Sequence, residues 1–295
     1  MEVNPKDLTA AEFHPYLLGA VTPRPIAFAS TVSDRGEVNL SPFSFFNAFS
    51  SNPPILIFSP ARRVRDNTTK HTLENVLQVP EVVINIVDYE MTYQMSLSSV
   101  EYKRGINEFE KAGLTALASK VVSPPRVKES KVSFECRVNK VLPLGEVGGS
   151  GNLIIAEVLL AHISEEILDE NGRIDPFKLD SVGRMGGDWY VRASGTSLFE
   201  VAKPNRKMGI GVDKIPENIR DSEVLTGNDL GKLGNVEALP SQEDIEVFAA
   251  EPEISAILEY FPDNPDGMLF ELHKLAKEYL DQGEVISAWK TLLQC

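Results

Sequence analysis

Arg24-Pro25-Ile26-Ala27-Phe28-Ala29-Ser30-Thr31-Val32-Ser33, then Asp34-Arg35-Gly36, then Glu37-Val38-Asn39-Leu40-Ser41-Pro42-Phe43-Ser44-Phe45-Phe46-Asn47-Ala48-Phe49 is the stretch whose reading decides the fold. Two runs of β-branched, small and aromatic residues flank a polar triplet ending in glycine, which is the signature of a β-hairpin. The spacing predicts strands over 26–33 and 37–49. The second strand is unusually rich in phenylalanine and places small hydroxyls, Ser41 and Ser44, among the rings.

Outward from this hairpin the strand pattern continues. Ile55 to Ser59 follows Pro53-Pro54 as a third strand, and Val82 to Val87 is a fourth. Thr69 to Leu77 and Tyr89 to Ser99 read as the two intervening helices. The stretch 100–128, with a short amphipathic piece over Asn107 to Ala112 and a Pro124-Pro125 loop, is expected to lie over the sheet. Val132 to Leu142 and Leu153 to Leu168, joined by the glycine-rich Gly145 to Gly151, form a second hairpin. The expected fold class is mainly β with helices, a small barrel or sandwich. After about Phe199 the composition changes. Residues 201–240 are rich in Gly, Pro and Asn with little periodicity, and Ser241 to Leu293 is helical. The expected division is therefore 1–199 for the β domain and 200–295 for an irregular segment followed by a helical extension.

In that extension Asn264-Pro265-Asp266 marks a helix start, and Ser241 with Asp244 a weaker one. Met268, Leu269, Leu272, Leu275, Ala276 and Leu280 make one apolar face, and Gly283 ends the helix. Such a face is expected to pack on the chain's own barrel or on a dimer partner.

The chain has 295 residues, 42% of them hydrophobic, and a formal net charge of −14. Its average surface repels phosphate backbones and anionic lipid, so neither nucleic acid nor membrane is an expected partner. Residues 1–16 carry acids, prolines and one histidine rather than a basic patch followed by an apolar stretch, which points to a cytoplasmic address. Its two cysteines, Cys136 in an apolar run and Cys295 at the last position, give neither a disulfide framework nor metal-ligand spacing.

Two segments carry candidate chemistry. In the first, the aromatics and serines of 39–47 fit either plain hairpin core or a slot for a planar ring with donors at its edge. The second runs from Ser59 through Arg62, Arg63, Arg65 and Lys70 to Thr72. Basic side chains, hydroxyls and the free N–H groups of a helix start suit a phosphate monoester, and a solvated charged loop is the alternative.

Taken together, Pro23-Arg24-Pro25-Ile26-Ala27, Asn39 to Asn47, Pro53-Pro54, Ser59 and Lys70-His71-Thr72-Leu73-Glu74-Asn75 resemble the flavin reductase-like, FMN-binding split-barrel family, in the branch that includes flavoredoxin. The resemblance spans about residues 8–200. It implies a six-stranded antiparallel barrel, a homodimer, and FMN as the cofactor. The phosphate would lie near Ser59, Arg62, Lys70, His71 and Thr72. The ring would lie along Asn39, Ser41, Phe43, Ser44 and Phe45, with Arg24 and Pro25 close to its polar edge. It implies redox chemistry carried by the flavin, with no catalytic side chain and no metal.

Two departures stand out. His71 replaces the family's frequent Asp, and Gly151-Asn152-Leu153 stands where small flavin reductases carry Gly-Asp-His, which puts direct use of NADH or NADPH in question. His162 lies further along the same strand, and a lone strand histidine is more often structural. Arg184-Met185-Gly186-Gly187-Asp188-Trp189-Tyr190 resembles a segment that lies near the flavin in this branch, and Arg184 is a candidate contact there. The function implied is an FMN-dependent oxidoreductase whose electron donor and acceptor are unidentified. A non-catalytic flavin carrier or sensor is the alternative.

Overall fold

The computed structural model describes residues 1–201 and 208–294, and Cys295 and part of the 201–240 segment lie outside the described residues. The chain forms two compact units, Met1–Phe199 and Glu200–Cys295.

The first unit is built on seven antiparallel strands: β1 (Ala27–Val32), β2 (Val38–Phe43), β3 (Phe46–Ser51), β4 (Pro54–Phe58), β5 (Glu81–Ile86), and two long strands separated from these by short pairing. Strands β6 (Ala116–Leu117) and β7 (Arg126–Val127) make that separate two-stranded ladder, and β8 (Val132–Pro143) and β9 (Asn152–Ile163) complete the large sheet. Its order is β2-β1-β5-β8-β9-β4-β3. The expected hairpin is present, with Val32 opposite Val38 and Gly36 at φ 79° in the turn, a conformation that glycine adopts without a Cβ penalty.

The expected return strand over 37–49 divides in two. Strands β2 and β3 are consecutive in the chain yet sit at opposite edges of the sheet. Six strand-to-strand steps would hold the edges of a flat sheet about 29 Å apart. The three residue steps from Phe43 to Phe46 reach at most about 11 Å. The sheet must therefore curl until its edges meet, and Ser44-Phe45 closes the barrel covalently along a seam without a hydrogen-bond ladder. This division raises the expected six strands to seven.

Alternation along the strands sorts the side chains. Ala27, Ala29, Phe43, Leu56, Phe58, Val82, Ile84, Cys136, Ile154 and Ala156 form the barrel core, plugged by Leu73 and Val76 of helix α2 (His71–Gln78). Before it lies α1 (Ala10–Ala20), which the sequence reading does not anticipate; it starts in a Thr9–Glu12 capping box and has no buried residue. A second cluster, including Ile26, Phe28 and Leu40, packs on the outer face of β1 and β2 beneath α3 (Thr92–Leu97) and α4 (Glu108–Ala112). Every residue of β1 is thus buried, on both faces. Helix α5 (Pro176–Leu179) and the hairpin of β10 (Val182–Arg184) and β11 (Tyr190–Arg192) end the unit.

The second unit is helical: α6 (Glu217–Arg220), α7 (Gly227–Gly234), α8 (Gln242–Phe248), α9 (Pro252–Tyr260), α10 (Pro265–Asp281) and α11 (Val285–Leu292). Helices α6 and α7 correct the reading of 201–240 as irregular. Both are short, and glycines at three positions of α7 dilute its apolar period. Asn264 caps α10 and Ser241 caps α8, as the sequence indicated. On the apolar face of α10, Ala276 and Leu280 pack with Ile215, Ile219, Leu233 and Trp289 in a core belonging to this unit. Among the described residues, no helix is long and apolar enough to cross a membrane.

Trp289 is fully buried, and its indole N–H donates to the Leu233 carbonyl at 3.0 Å. The chain has two tryptophans, and Trp189 is 78% exposed in the first unit. In a W189F background, fluorescence therefore reports the second unit alone. Trp289→Ala, compared by thermal melts followed by circular dichroism, is expected to destabilise that unit by about 3–5 kcal/mol, while Trp189→Phe leaves its melting unchanged.

Candidate functional site

Two cavities flank the barrel seam. The smaller is lined by Asn39 and Ser41 of β2, by Lys70, His71 and Thr72 at the start of α2, and by Arg63, Ser99, Glu101 and Glu108. The larger, of about 640 Å³, is lined by Pro42 and Ser44 where β2 ends, by Thr92, Tyr93, Ser96 and Ser99 on and after α3, and by Arg184 and Tyr190. Ser99 borders both. One edge strand thus presents alternate residues to two adjoining spaces.

The small cavity has the chemistry of an anion site. Among the described residues no side chain caps α2, so its first amides point outward without an internal acceptor. Thr72 Oγ1 accepts from Asn39 Nδ2 at 2.9 Å, which fixes the helix start against β2. The Leu40 amide, on the open side of β2, is taken by Glu108 Oε2 at 3.0 Å, and burial pushes that carboxyl above its usual range.

Arg62 and Arg63 diverge. Arg63 lines the cavity, donating from Nε to Glu101 Oε1 at 2.8 Å and from Nη1 to Thr68 Oγ1 at 2.9 Å. Arg62 turns to Asn67 instead, with Nε to Oδ1 at 2.6 Å and Nη2 to the carbonyl at 2.8 Å. The guanidinium at this site is that of Arg63.

Glu101 is the residue that sequence reasoning missed. Its carboxylate meets Arg63, Arg65 at 2.9 Å and Lys70 at 3.5 Å, and hydrogen bonds from Arg63 and then Arg65 bring its pKa down to about 2. The loop is held from below by the turn joining β8 to β9. Arg62 N donates to the Ser150 carbonyl and Gly149 N to the Arg62 carbonyl, at 2.8 and 2.9 Å. A Cβ on Gly148 would lie 3.0 Å from the Arg63 and Val64 backbone, so that close approach requires glycine.

The remaining candidates take other places. Arg24 is buried; Nη1 donates to the carbonyls of Leu18 and Val21 at 2.7 and 2.6 Å, Nη2 to that of Met185 at 2.9 Å, and Nε to Ser44 Oγ at 3.4 Å. It fastens the end of α1 to the β10–β11 turn. Pro25 lines a third, apolar cavity of about 280 Å³ beside Arg24. The Phe43 ring belongs to the barrel core against Phe58, 5.4 Å between centroids, and Phe45 is half-buried and lines none of these cavities. Ser59 is buried, its Oγ without a hydrogen-bond partner among the described residues, and Gly151 leaves room for it. Asn152, in place of the family's Asp, is tied to the Pro60 carbonyl through its amide at 3.0 Å. His162 Nε2 lies 2.6 Å from Glu135 Oε1, inside a structural pair.

The family described as "Flavin reductase like domain" matches residues 18–178. This chain belongs to that family. An uncharacterised protein of Aquifex aeolicus is 42% identical over 201 residues, 68% of this chain and 100% of its own length. The crystal structure of nitrilotriacetate monooxygenase component B from Bacillus cereus is 30% identical, with a TM-score of 0.64 over 68% of this chain and 98% of that one. A putative flavin reductase with a split barrel domain from Shewanella frigidimarina shares the fold, at 24% identity and a TM-score of 0.58 over 69% of this chain and 99% of that one. The architecture is a flavin reductase-like split barrel with a helical C-terminal region.

The residues fit a flavin phosphate. An uncapped helix start with Lys70 and Arg63 stands at one end, and a large cavity bordered by Pro42 and Ser44 at the other.

Burial, then the charges of Arg104, Arg63 and Lys70, hold the His71 imidazole below its ordinary value of 6.5 despite Glu74. The unfolded chain therefore takes up this proton first as pH falls. The contribution to stability is complete above 6.5 and is lost as pH drops through the folded value. Denaturant midpoints measured between pH 7.5 and 5.5, about this value, are expected to fall more steeply for the wild type than for His71→Asn.

Proposed function

We propose that this chain is an FMN-dependent oxidoreductase, with the phosphate in the small cavity and the ring along Ser41 to Ser44. The observation that carries this reading is the pairing of an uncapped, cationic helix start with a larger cavity reached past Ser99. Membership of the flavin reductase-like family supports it.

When bound, FMN would supply the electron transfer that no side chain here provides. The chain's own residues bind and orient. The amides of His71 and Thr72 with the Lys70 ammonium meet phosphate oxygens, and Arg63 adds a planar fork suited to them. Asn39 and Glu108 hold β2 against α2 and α4, so the distance between the phosphate end and the ring end is set by packed secondary structure. Ser44 Oγ, on the seam, is oriented by Arg24 Nε. The Glu101 carboxylate pairs with the same cations, so an incoming phosphate competes with it for Arg63 and Lys70.

The enzyme reading is favoured over a closed carrier by the large cavity next to Ser44, which leaves space for a second molecule. Trp189, a residue that would cover the ring in a carrier, is 78% exposed. Direct nicotinamide use has no histidine to support it, since Leu153 stands at that position, and the neighbouring Asn152 is committed to Pro60. A homodimer, by analogy with the family, is part of this proposal, and light scattering of the purified chain tests it.

Lys70→Ala and Arg63→Ala are each expected to weaken FMN binding roughly 10–100-fold by fluorescence titration, the scale of a charge-assisted hydrogen bond. Arg62→Ala should leave it close to wild type. Riboflavin, which lacks the phosphate, should bind wild type and all three variants alike; equal losses for both flavins would remove the phosphate from this cavity. The visible spectrum of the FMN-loaded protein under anaerobic NADH and then NADPH tests the reaction. We expect slow or no bleaching with either, and rapid bleaching would make the protein a direct nicotinamide-dependent reductase.

A further inference from the structure

We propose that the cavity of about 640 Å³ beside Ser44 takes an aromatic carboxylate, whose charged group pairs with the Arg184 guanidinium. The inference rests on the flavin reading above and names the class of the second molecule at the same site.

The charges lining the cavity are those of Arg184, Asp188 and Arg192. Arg192 is already neutralised: Nε and Nη2 grip the Asp180 carboxylate at 2.7 and 2.6 Å, and its guanidinium stacks 3.8 Å from the Tyr89 ring centre. Asp188 is exposed to solvent, where water screens it. Arg184 is half-buried, and among the described residues its side chain has no hydrogen-bond or ion-pair partner, only the face of Tyr190 at 4.6 Å.

A second cation stands beside it. The backbones of Arg24 and Arg184 are joined in both directions, Arg24 N to the Arg184 carbonyl at 2.9 Å and Arg184 N to the Arg24 carbonyl at 2.8 Å. Among the described residues every acceptor around the Arg24 guanidinium is a carbonyl or a hydroxyl, so its charge also lacks a carboxylate there. Two like charges are held near each other with no carboxylate partner among the described residues, and a single antiparallel β-bridge keeps their backbones together. The repulsion is relieved by an anion that enters from the cavity.

The rest of the wall specifies the body of that anion. Tyr89, Tyr93 and Tyr190 line it together with the buried apolar side chains of Ile26, Met95 and Val182. A flat, apolar molecule bearing a carboxylate satisfies both parts: its ring against the tyrosines, and its two oxygens on the planar fork of Arg184. Inorganic phosphate has the charge but not the flat apolar body.

The test is calorimetric titration of benzoate, with benzamide as its uncharged analogue, into flavin-free and FMN-loaded protein. Wild type is expected to bind benzoate at least about ten-fold more tightly than benzamide in one or both forms. Arg184→Gln should weaken benzoate roughly 10–100-fold with FMN affinity and melting temperature retained, and Arg184→Lys should recover part of the loss. Equal binding of benzoate and benzamide, or undiminished benzoate binding by R184Q, overturns the inference. So does an R184Q variant that loses FMN and keeps benzoate, because the arginine then serves the cofactor. A protein that takes up no FMN but binds benzoate through Arg184 sinks the flavin reading and leaves the carboxylate site standing.

Discussion

The covalent closure of the barrel by Ser44-Phe45 governs the rest of the first unit. Because β2 and β3 lie at opposite edges of the same sheet, this short link forces the edges together. The edge strand β2 then has its outer side free of a β partner. Helices α2 and α4 and the segment after α3 fill that side, and both cavities form along it. A hydrogen-bonded closure would have put a strand where α2, α4 and the segment after α3 now stand, leaving no space there for the two cavities. Asn39, Ser41 and Ser44 border those cavities because the seam is closed by the chain alone.

The electrostatics of the site run against those of the molecule. A chain of net charge −14 gathers Arg62, Arg63, Arg65 and Lys70 within nine residues, and the fold then sets Glu101 among three of them. With its pKa near 2, that carboxylate is charged throughout the physiological range. It holds the loop's cations in one place, and the glycine turn between β8 and β9 holds the loop backbone from the other side. The cradle is thus organised by the protein's own groups. Organisation of this kind lowers the ordering cost of binding, at the expense of competition from Glu101 itself.

The second unit follows a different logic. Its helices are mostly short, and an isolated short helix is marginal in water. What stabilises them is a shared core centred on Trp289, with Leu233, Ala276, Leu280 and Ala288 around it, and the indole N–H satisfying a carbonyl at the end of α7. The unit therefore has its own source of stability, separate from the burial in the barrel.

Sequence alone determined the local elements: the first hairpin through its Asp34-Arg35-Gly36 turn, the second through its glycine-rich link, and α10 through Asn264 and its apolar period. These are short-range properties, set by φ preferences and by side-chain periods of two and 3.6. The Thr9–Glu12 capping box was equally local and legible, but Pro15 and the absence of a buried face concealed the helix that follows. The motif residues also located the small cavity, where Asn39, Ser41, Lys70, His71 and Thr72 converge. Tertiary structure decided what depends on direction and on distant partners. It broke the phenylalanine strand at the seam, turned Phe43 into the core, chose Arg63 over Arg62 for the cavity, and brought Glu101 to the basic loop from 36 residues beyond Arg65. It also spent Arg24 on three carbonyls while leaving Arg184 unpaired beside it. Composition names the charges in a segment, but only the closed barrel fixes which way each one points and what stands opposite it.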